Sequence, residues 1–319
     1  MLPYAPVITI TFNPALDKTA SIEAMLPEKK LRCQLPVLSP GGGGVNVSRS
    51  LHELGGHTHA IFLAGGTNGE RLQKLLQEEG VLYTAVPMAA HTREDLTITD
   101  NDSGLQYRFT LPGEPVTQKE WEACLTVAEA LIPAVYLVVS GSLPPGIPLN
   151  IFDKLSVLAK EKRTHLVVDT SGEALQAAVN AGVYMLKCNI HELGILTGNP
   201  GLQPGQAPAA ARQLINLGAC EMVVVSLGAR GALLVTKDLI HTEPAPMVHV
   251  KSTVGAGDSM LAGMLYGLLH GMTLPHALTY GVAAGTAATM RPGTSLCRKT
   301  DVESLLSVTG NAIYKHQNG

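Results

Sequence analysis

The chain has 319 residues, 45% of them hydrophobic and 15% charged, and a formal net charge of −3. That is apolar material for one large α/β domain or two small ones, and the slight acidity argues against the basic face a nucleic-acid-binding protein needs. Five cysteines (Cys33, Cys124, Cys188, Cys220 and Cys297) stand without a Cys-x-x-Cys pair or metal-ligand spacing, as expected of reduced thiols in the cytoplasm rather than a disulfide framework or zinc site.

The first predicted element is the strand Val7-Ile8-Thr9-Ile10-Thr11-Phe12. No basic residue precedes it and no apolar stretch is long enough to span a bilayer, so neither a secretory leader nor a membrane partner is expected, and cytoplasm follows by exclusion. Asn13-Pro14-Ala15-Leu16-Asp17 comes next, and residues 20–38 read as short strands with polar turns. Gly41 to Gly44 form a four-glycine run, continued by Val45, Val47, Leu51 and Leu54 at helical spacing up to Gly55. The first amides of that helix are therefore aimed at whatever lies before it.

Ala60-Ile61-Phe62-Leu63, Tyr136-Leu137-Val138-Val139, His165-Leu166-Val167-Val168 and Met222-Val223-Val224-Val225 are apolar runs of strand length with helix-length segments between them. They predict a mostly parallel sheet covered by helices on both faces. Small or polar turns follow: Ala64-Gly65-Gly66, Ser140-Gly141-Ser142, Asp169-Thr170-Ser171-Gly172 and Ser226-Leu227-Gly228. Ligands of open α/β sheets bind at the carboxyl ends of strands, so these turns are expected to line one cleft. Residues 94–111 break the alternation as 20–38 do, with the turn Asp100-Asn101-Asp102-Ser103-Gly104 between two strand-like runs. Residues 198–211 read as a loop entering a helix, and a further helix is expected over 274–290.

The most informative segment is Ser252-Thr253-Val254-Gly255-Ala256-Gly257-Asp258-Ser259. Met260, Leu261, Met264, Leu265, Leu268 and Leu269 give a helix after it, with Gly263 and Gly267 thinning one side for close packing and Gly271 at its end. Helix-start amides beside glycines make an anion hole, and Asp258 stands where it could take a proton from a hydroxyl. Asp also caps helices for purely structural reasons, so this turn alone leaves both readings open. Other signatures fail. There is no Gly-x-x-x-x-Gly-Lys-Ser/Thr, Met260 occupies the third glycine of a dinucleotide fingerprint, and Gly-x-Ser-x-Gly is missing. His52, His57 and His59 lack a carboxylate at ligand spacing and are expected at the surface.

The Gly255–Asp258 turn and the early glycine run are specific together, and Lys30-Leu31-Arg32-Cys33, Ser140-Gly141-Ser142-Leu143-Pro144-Pro145-Gly146, Lys187-Cys188-Asn189-Ile190-His191-Glu192 and Val282-Ala283-Ala284-Gly285 support them. In these segments, and in Asn13 to Asp17, the chain resembles the sugar kinases of the ribokinase-like (PfkB) family, with the pieces in the family's order over nearly the whole length. The resemblance implies a single ribokinase-like α/β/α domain over residues 1–319, with a β lid from about 14–38 and 92–113. It also implies a homodimer, because the lids of two subunits pack together in the family's phosphofructokinase members.

The implied chemistry is ATP- and Mg²⁺-dependent phosphorylation of a ketohexose phosphate, with Asp258 as base and Gly255, Ala256 and Gly257 as anion hole. Fructose 6-phosphate is the expected acceptor, because four glycines stand where fructose-1-phosphate and tagatose-6-phosphate kinases commonly carry Gly-Gly-Lys-Gly. Those two activities are the alternatives, and a non-catalytic sugar-phosphate sensor is the alternative of another class. By position, Asp17, Gly42, Gly43, Asn46 and Ser140 match substrate contacts, with Arg93, Lys30 and Arg32 offered to the substrate's phosphate. Arg93 is favoured among these for its paired guanidinium donors. Lys187, Asn189, Ser226, Gly228, Ser252, Val282 and Thr286 match nucleotide contacts, and Asn189 with Glu192 the element that organises magnesium through water. Ser252, Val254, Ala288, Arg291, Gly293 and Ser295 match a loop for K⁺. The chain departs from its relatives at Cys188 and His191, where a proline and a lysine are usual, so inhibition by ATP is not carried over.

Overall fold

A computed structural model describes residues 5–308; the two ends of the expected 1–319 domain, residues 1–4 and 309–319, lie outside the described residues. In chain order the elements are β1 (Val7–Thr11), β2 (Ala15–Ile22), β3 (Val37–Gly41), α1 (Gly43–Glu53), β4 (Thr58–Ala64), α2 (Gly66–Glu78), β5 (Tyr83–Pro87), β6 (Arg93–Asp100) and β7 (Gln106–Thr110). There follow α3 (Gln118–Leu131), β8 (Tyr136–Ser140), α4 (Ile151–Lys162), β9 (His165–Asp169), α5 (Gly172–Ala181), β10 (Val183–Asn189), α6 (Ile190–Leu196) and α7 (Ala207–Asn216). The last are β11 (Cys220–Ser226), β12 (Ala232–Thr236), β13 (Ile240–Glu243), α8 (Ala256–Leu269), α9 (Leu274–Thr289) and α10 (Lys299–Val308).

The large sheet has nine strands in the order β13-β12-β11-β10-β9-β8-β1-β4-β5. Its pairings from β5 to β11 are parallel, and the β11–β12–β13 end is antiparallel. Strand side chains alternate between faces, and here both sides are apolar. Ile8, Ile10, Leu137, Val139, Leu186, Val223 and Val225 join one core with Trp121 of α3, Phe152 of α4, Leu175 of α5 and Leu214 of α7. Val7, Val138, Met185, Met222 and Val224 join another with Val47 and Leu51 of α1, Leu261 and Leu265 of α8 and Leu278 of α9. The result is the expected three-layer α/β/α fold. The thinned side of α8 meets α9 closely: a Cβ on Gly263 would lie 2.6 Å from the Ala284 Cβ.

The two stretches that broke the alternation form a second sheet, β3-β2-β6-β7. Its boundaries differ from expectation. The first strand begins at Ala15, so Asp17 lies within it, and residues 23–36 form no strand. The returning strand runs to Gly41, into the glycine run. A further correction concerns His59, which is 3% exposed. It lies on the buried strand β4, where Nε2 meets the Thr84 hydroxyl at 2.8 Å and burial lowers its pKa.

Candidate active site

The smaller sheet meets the tips of α1 and α8 around a cavity of about 260 Å³ lined by Asp17, Gly42, Gly43, Asn46, Arg93, Val254, Gly255 and Asp258, all singled out in the sequence. Their arrival at one place has local causes. Gly255, the residue before α8, has φ 72°, a left-handed conformation that glycine adopts without strain, and it brings the start of α8 to the cavity wall. Gly42 before α1 has φ 108°, and a Cβ there would lie 2.8 Å from the Thr11 methyl and 3.0 Å from the Pro14 Cα. Both glycine turns therefore let backbone approach what a side chain would block.

Asp258, in the first turn of α8, is half-buried, and its carboxylate Oδ2 accepts a hydrogen bond from Asn46 Nδ2 at 2.9 Å. Burial, and then the nearby Asp169, raise its pKa to about 6, against the pull of Lys187, Asn46 and Arg108. A group with that pKa is ionised at neutral pH yet basic enough to accept a proton. Asp17 is 7% exposed and stands in register beside Asp95 across β2 and β6. Burial, followed by the Asp95 charge, pushes it up to about 7, with Arg49, Arg93 and Arg108 opposing.

Arg93 is a wall of this cavity rather than a loose cation. Its Nη1 pairs with Asp95 Oδ1 at 2.5 Å and donates to the Leu111 carbonyl at 3.1 Å. Its Nε and Nη2 donate to the Asn13 carbonyl at 3.4 and 3.3 Å. Lys30 and Arg32, by contrast, are exposed in the 23–36 stretch and do not line the cavity. Ser140 is 3% exposed, at the end of β8 and packed directly under Gly43, so it forms the floor beneath the glycine loop.

Of the expected nucleotide residues, Lys187, Asn189, Ser226 and Gly228 lie at or just past neighbouring strand tips. Lys187 Nζ pairs with Asp169 Oδ2 at 2.6 Å, both side chains being nearly buried, and it lies 2.8 Å from where a Gly257 Cβ would be. Burial alone would lower the lysine's pKa, but Asp169 and Asp258 outweigh it, so the ammonium stays charged. Asn189 and Ser226 are register partners on β10 and β11, and Gly228 is exposed just beyond. Val282 and Thr286 are 4% and 7% exposed on α9, where Val282 belongs to the core against the sheet. Cys188 faces the opposite core, and burial raises its thiol pKa, leaving it protonated.

Asn189 and Glu192 form a reciprocal cap on α6: the Glu192 amide donates to Asn189 Oδ1 at 2.9 Å, and the Asn189 amide to Glu192 Oε2 at 2.8 Å. Burial and Asp169 raise the Glu192 pKa, against the Asn189 amide. Among the described residues no group of three or more His, Cys, Asp or Glu side chains could hold a metal directly. The capped pair still offers oxygens only, and Mg²⁺ keeps most of its waters, so the residues fit an ion held through water. The segments expected to hold K⁺ are pinned together, with Ser252 Oγ donating to the Gly293 carbonyl at 2.7 Å and the Val254 amide to Ser252 Oγ at 3.3 Å. Ala288, however, is fully buried in α9, and its carbonyl accepts from the Arg291 amide at 3.1 Å.

The family model for pfkB family carbohydrate kinases matches residues 3–301. The chain belongs to the pfkB family of carbohydrate kinases. It is 42% identical over 298 residues to the ATP-dependent 6-phosphofructokinase isozyme 2 of Mycobacterium tuberculosis, covering 93% of this chain and 88% of the relative. The enzyme of the same description from Escherichia coli is 40% identical over 301 residues, 94% of this chain and 97% of that one. The crystal structure of Escherichia coli phosphofructokinase-2 in complex with potassium superposes with a TM-score of 0.92 at 39% identity, covering 96% of this chain and 99% of that chain.

This pfkB kinase also has site residues that sequence reasoning missed. Arg108 on β7 and Asp95 on β6 line the cavity, and the Arg108 charge is felt by both Asp17 and Asp258. An arginine in a polar strand ordinarily points to solvent, so nothing local marked it. Asp169 is different. It opens one of the strand-end turns expected to line the cleft, and its pairing with Lys187 is what the turn alone did not reveal.

Proposed function

We propose that the chain is an ATP-dependent kinase that phosphorylates O1 of fructose 6-phosphate to give fructose 1,6-bisphosphate. The observation that carries this reading is the Asp258 carboxylate, held by Asn46 beside the α8 amides in the same cavity as Asp17, Arg93 and Arg108. The 6-phosphofructokinases described above point to the same acceptor.

Asp17 and Asn46 hold the sugar hydroxyls, and Arg108, backed by Arg93, holds its phosphate. Asp258 accepts the proton of the attacking O1 hydroxyl while the oxygen attacks the γ-phosphorus in line, breaking the bond to ADP. The amides of Gly255, Ala256 and Gly257 face the charge that develops on the transferring group, and Lys187 adds a fixed positive charge beneath them. Asn189 and Glu192 would hold Mg²⁺ through water, where it supplies charge neutralisation at the nucleotide phosphates. Ser226 and Gly228 border the nucleotide, with Thr286 and Val282 behind it. The loop of Ser252, Val254 and Gly293 would hold K⁺ near the anion hole; the Escherichia coli phosphofructokinase-2 is known in complex with potassium.

We read the smaller sheet as a lid on a single domain and as the contact of a cytoplasmic homodimer. Val37, Leu105, Phe109 and Leu111 are each about half exposed or more on or beside its outer strands, and an open sheet edge with apolar side chains favours a partner. The test is ADP release measured side by side with fructose 6-phosphate, fructose 1-phosphate and tagatose 6-phosphate. The highest kcat/KM is expected for the first. Preference for either other sugar would reassign the acceptor, and no turnover on any of them would leave a binding protein.

A further inference from the structure

We propose that Arg49 is a positioning residue for phosphoryl transfer: its guanidinium fixes the Asn46 side-chain amide so that Nδ2, and not Oδ1, faces the Asp258 carboxylate. This rests on the kinase reading above.

Arg49 lies one turn beyond Asn46 on α1, with its side chain 11% exposed. Its Nε and Nη2 grip the two Glu79 carboxylate oxygens at 2.7 Å each, in the paired geometry that makes such contacts strong. The remaining nitrogen, Nη1, donates to the Pro40 carbonyl at 2.8 Å and to Asn46 Oδ1 at 3.2 Å. Asn46 Nδ2 in turn donates to Asp258 Oδ2 at 2.9 Å. Guanidinium only donates and carboxylate only accepts, so one orientation of the Asn46 amide satisfies both neighbours and the flipped one satisfies neither. Glu79 at the end of α2 thus anchors an arginine that orients an amide that holds one oxygen of the base. The other oxygen is left for the acceptor hydroxyl.

The charged groups around Asp258 come from several elements: Asp169 on β9, Lys187 on β10, Arg108 on β7, and across the cavity Asp17 on β2 with Arg93 and Asp95 on β6. Arg49 reaches Asp258 through Asn46, whereas it acts directly on the charge of Asp17. A lysine at position 49 would keep a positive charge but could not span Glu79, Pro40 and Asn46 together.

The test compares the unmodified protein, Arg49→Met, Arg49→Lys, Glu79→Gln, Asn46→Ala and the double variant Asn46→Ala/Arg49→Met. The readouts are the pH dependence of kcat for fructose 6-phosphate and the Asp258 titration by carboxyl ¹³C NMR, assigned with Asp258→Asn. Losing the oriented donor removes stabilisation of the carboxylate, so the acid limb should move up by about one pH unit in Arg49→Met, which lowers kcat about fivefold at pH 6 and little at pH 8. Arg49→Lys should share that shift, and Glu79→Gln should show a smaller one in the same direction. In the Asn46→Ala background the Arg49 change should add nothing, because its path is already cut. An unmoved midpoint in the folded Arg49 variants, full rescue by lysine, or an equal shift in both backgrounds overturns the proposal. The NMR titration decides the matter even for a variant without turnover, whereas failure of the kinase reading shows separately as no ADP release by the unmodified protein.

Discussion

Replacing the proposed base by its amide, Asp258→Asn, separates catalysis from stability. The Asn46 hydrogen bond survives, since the new side-chain carbonyl still accepts at the Oδ2 position, so the fold should hold. Losing a general base lowers kcat by about 10²–10⁴-fold. Stability should move the other way. Burial and Asp169 raise the carboxyl from 3.8 to about 6, so the folded state holds the proton more tightly than the unfolded chain. The carboxylate therefore costs nothing below the unfolded pKa, destabilises progressively as pH rises between the two values, and carries its full penalty above the folded one. At about 1.4 kcal/mol per unit, the penalty approaches ~3 kcal/mol at pH 8 and is about half that at pH 5. The amide variant should thus unfold several degrees higher than the unmodified protein at pH 8, with a smaller gap at pH 5. Thermal melts at the two pH values, beside an ADP-release assay, make the test. A gap that does not grow with pH, or an inactive variant that is also less stable at pH 8, would refute the claim that this carboxylate is held ionised against its surroundings.

Lys187→Met leaves Asp169 buried without its partner, so urea unfolding should show a loss of about 3–5 kcal/mol, with kcat falling as the charge under the Gly257 amide disappears. Arg108→Gln should raise KM for fructose 6-phosphate by about tenfold or more while changing kcat less, because a charge-assisted contact to phosphate is worth about 1.5–3 kcal/mol; equal loss in kcat would place Arg108 in the chemistry instead. Gly43→Ala should cost about 1–3 kcal/mol by overpacking, because the added methyl would lie 2.7 Å from the Gly141 amide nitrogen and press on Ser140, and a melt unchanged from the unmodified protein would mean the strand tip can yield.

The central strands were legible because they are buried on both faces. Val138, Val167 and Val224 turn to one core and Leu137, Val168 and Val225 to the other, so each strand reads as an unbroken apolar run. β5 and β13 were not legible for the same reason reversed. They are the outermost strands of the large sheet, and Tyr83 to Pro87 and Ile240 to Glu243 mix polar and apolar residues, since only part of an edge strand is covered. His59 misled because a glycine turn nearby suggested surface, whereas its strand is interior.

The site divides along a similar physical line. What needs close backbone approach is written locally, because only glycine can supply it: Gly42, Gly43, Gly255 and Gly257 could be chosen by inspection, and each has an obstacle waiting where a Cβ would go. What needs charge balance is written across the fold. Asp17 and Asp95 are far apart in the chain yet become neighbours through the pairing of β2 with β6, and Arg93 is then committed to Asp95 and to two carbonyls. In the proposed reading a sugar phosphate must find positive charge in a cavity lined by Asp17, Asp95 and Asp258. With Arg93 so engaged, that reading gives the role to Arg108, which lines the same cavity from a strand with no local mark of it. The base shows the same division. Asp258 could be named from its turn, but its pKa of about 6 comes first from burial and then from Asp169, against the pull of Lys187 and Asn46, residues drawn from three other elements that only the folded chain brings together.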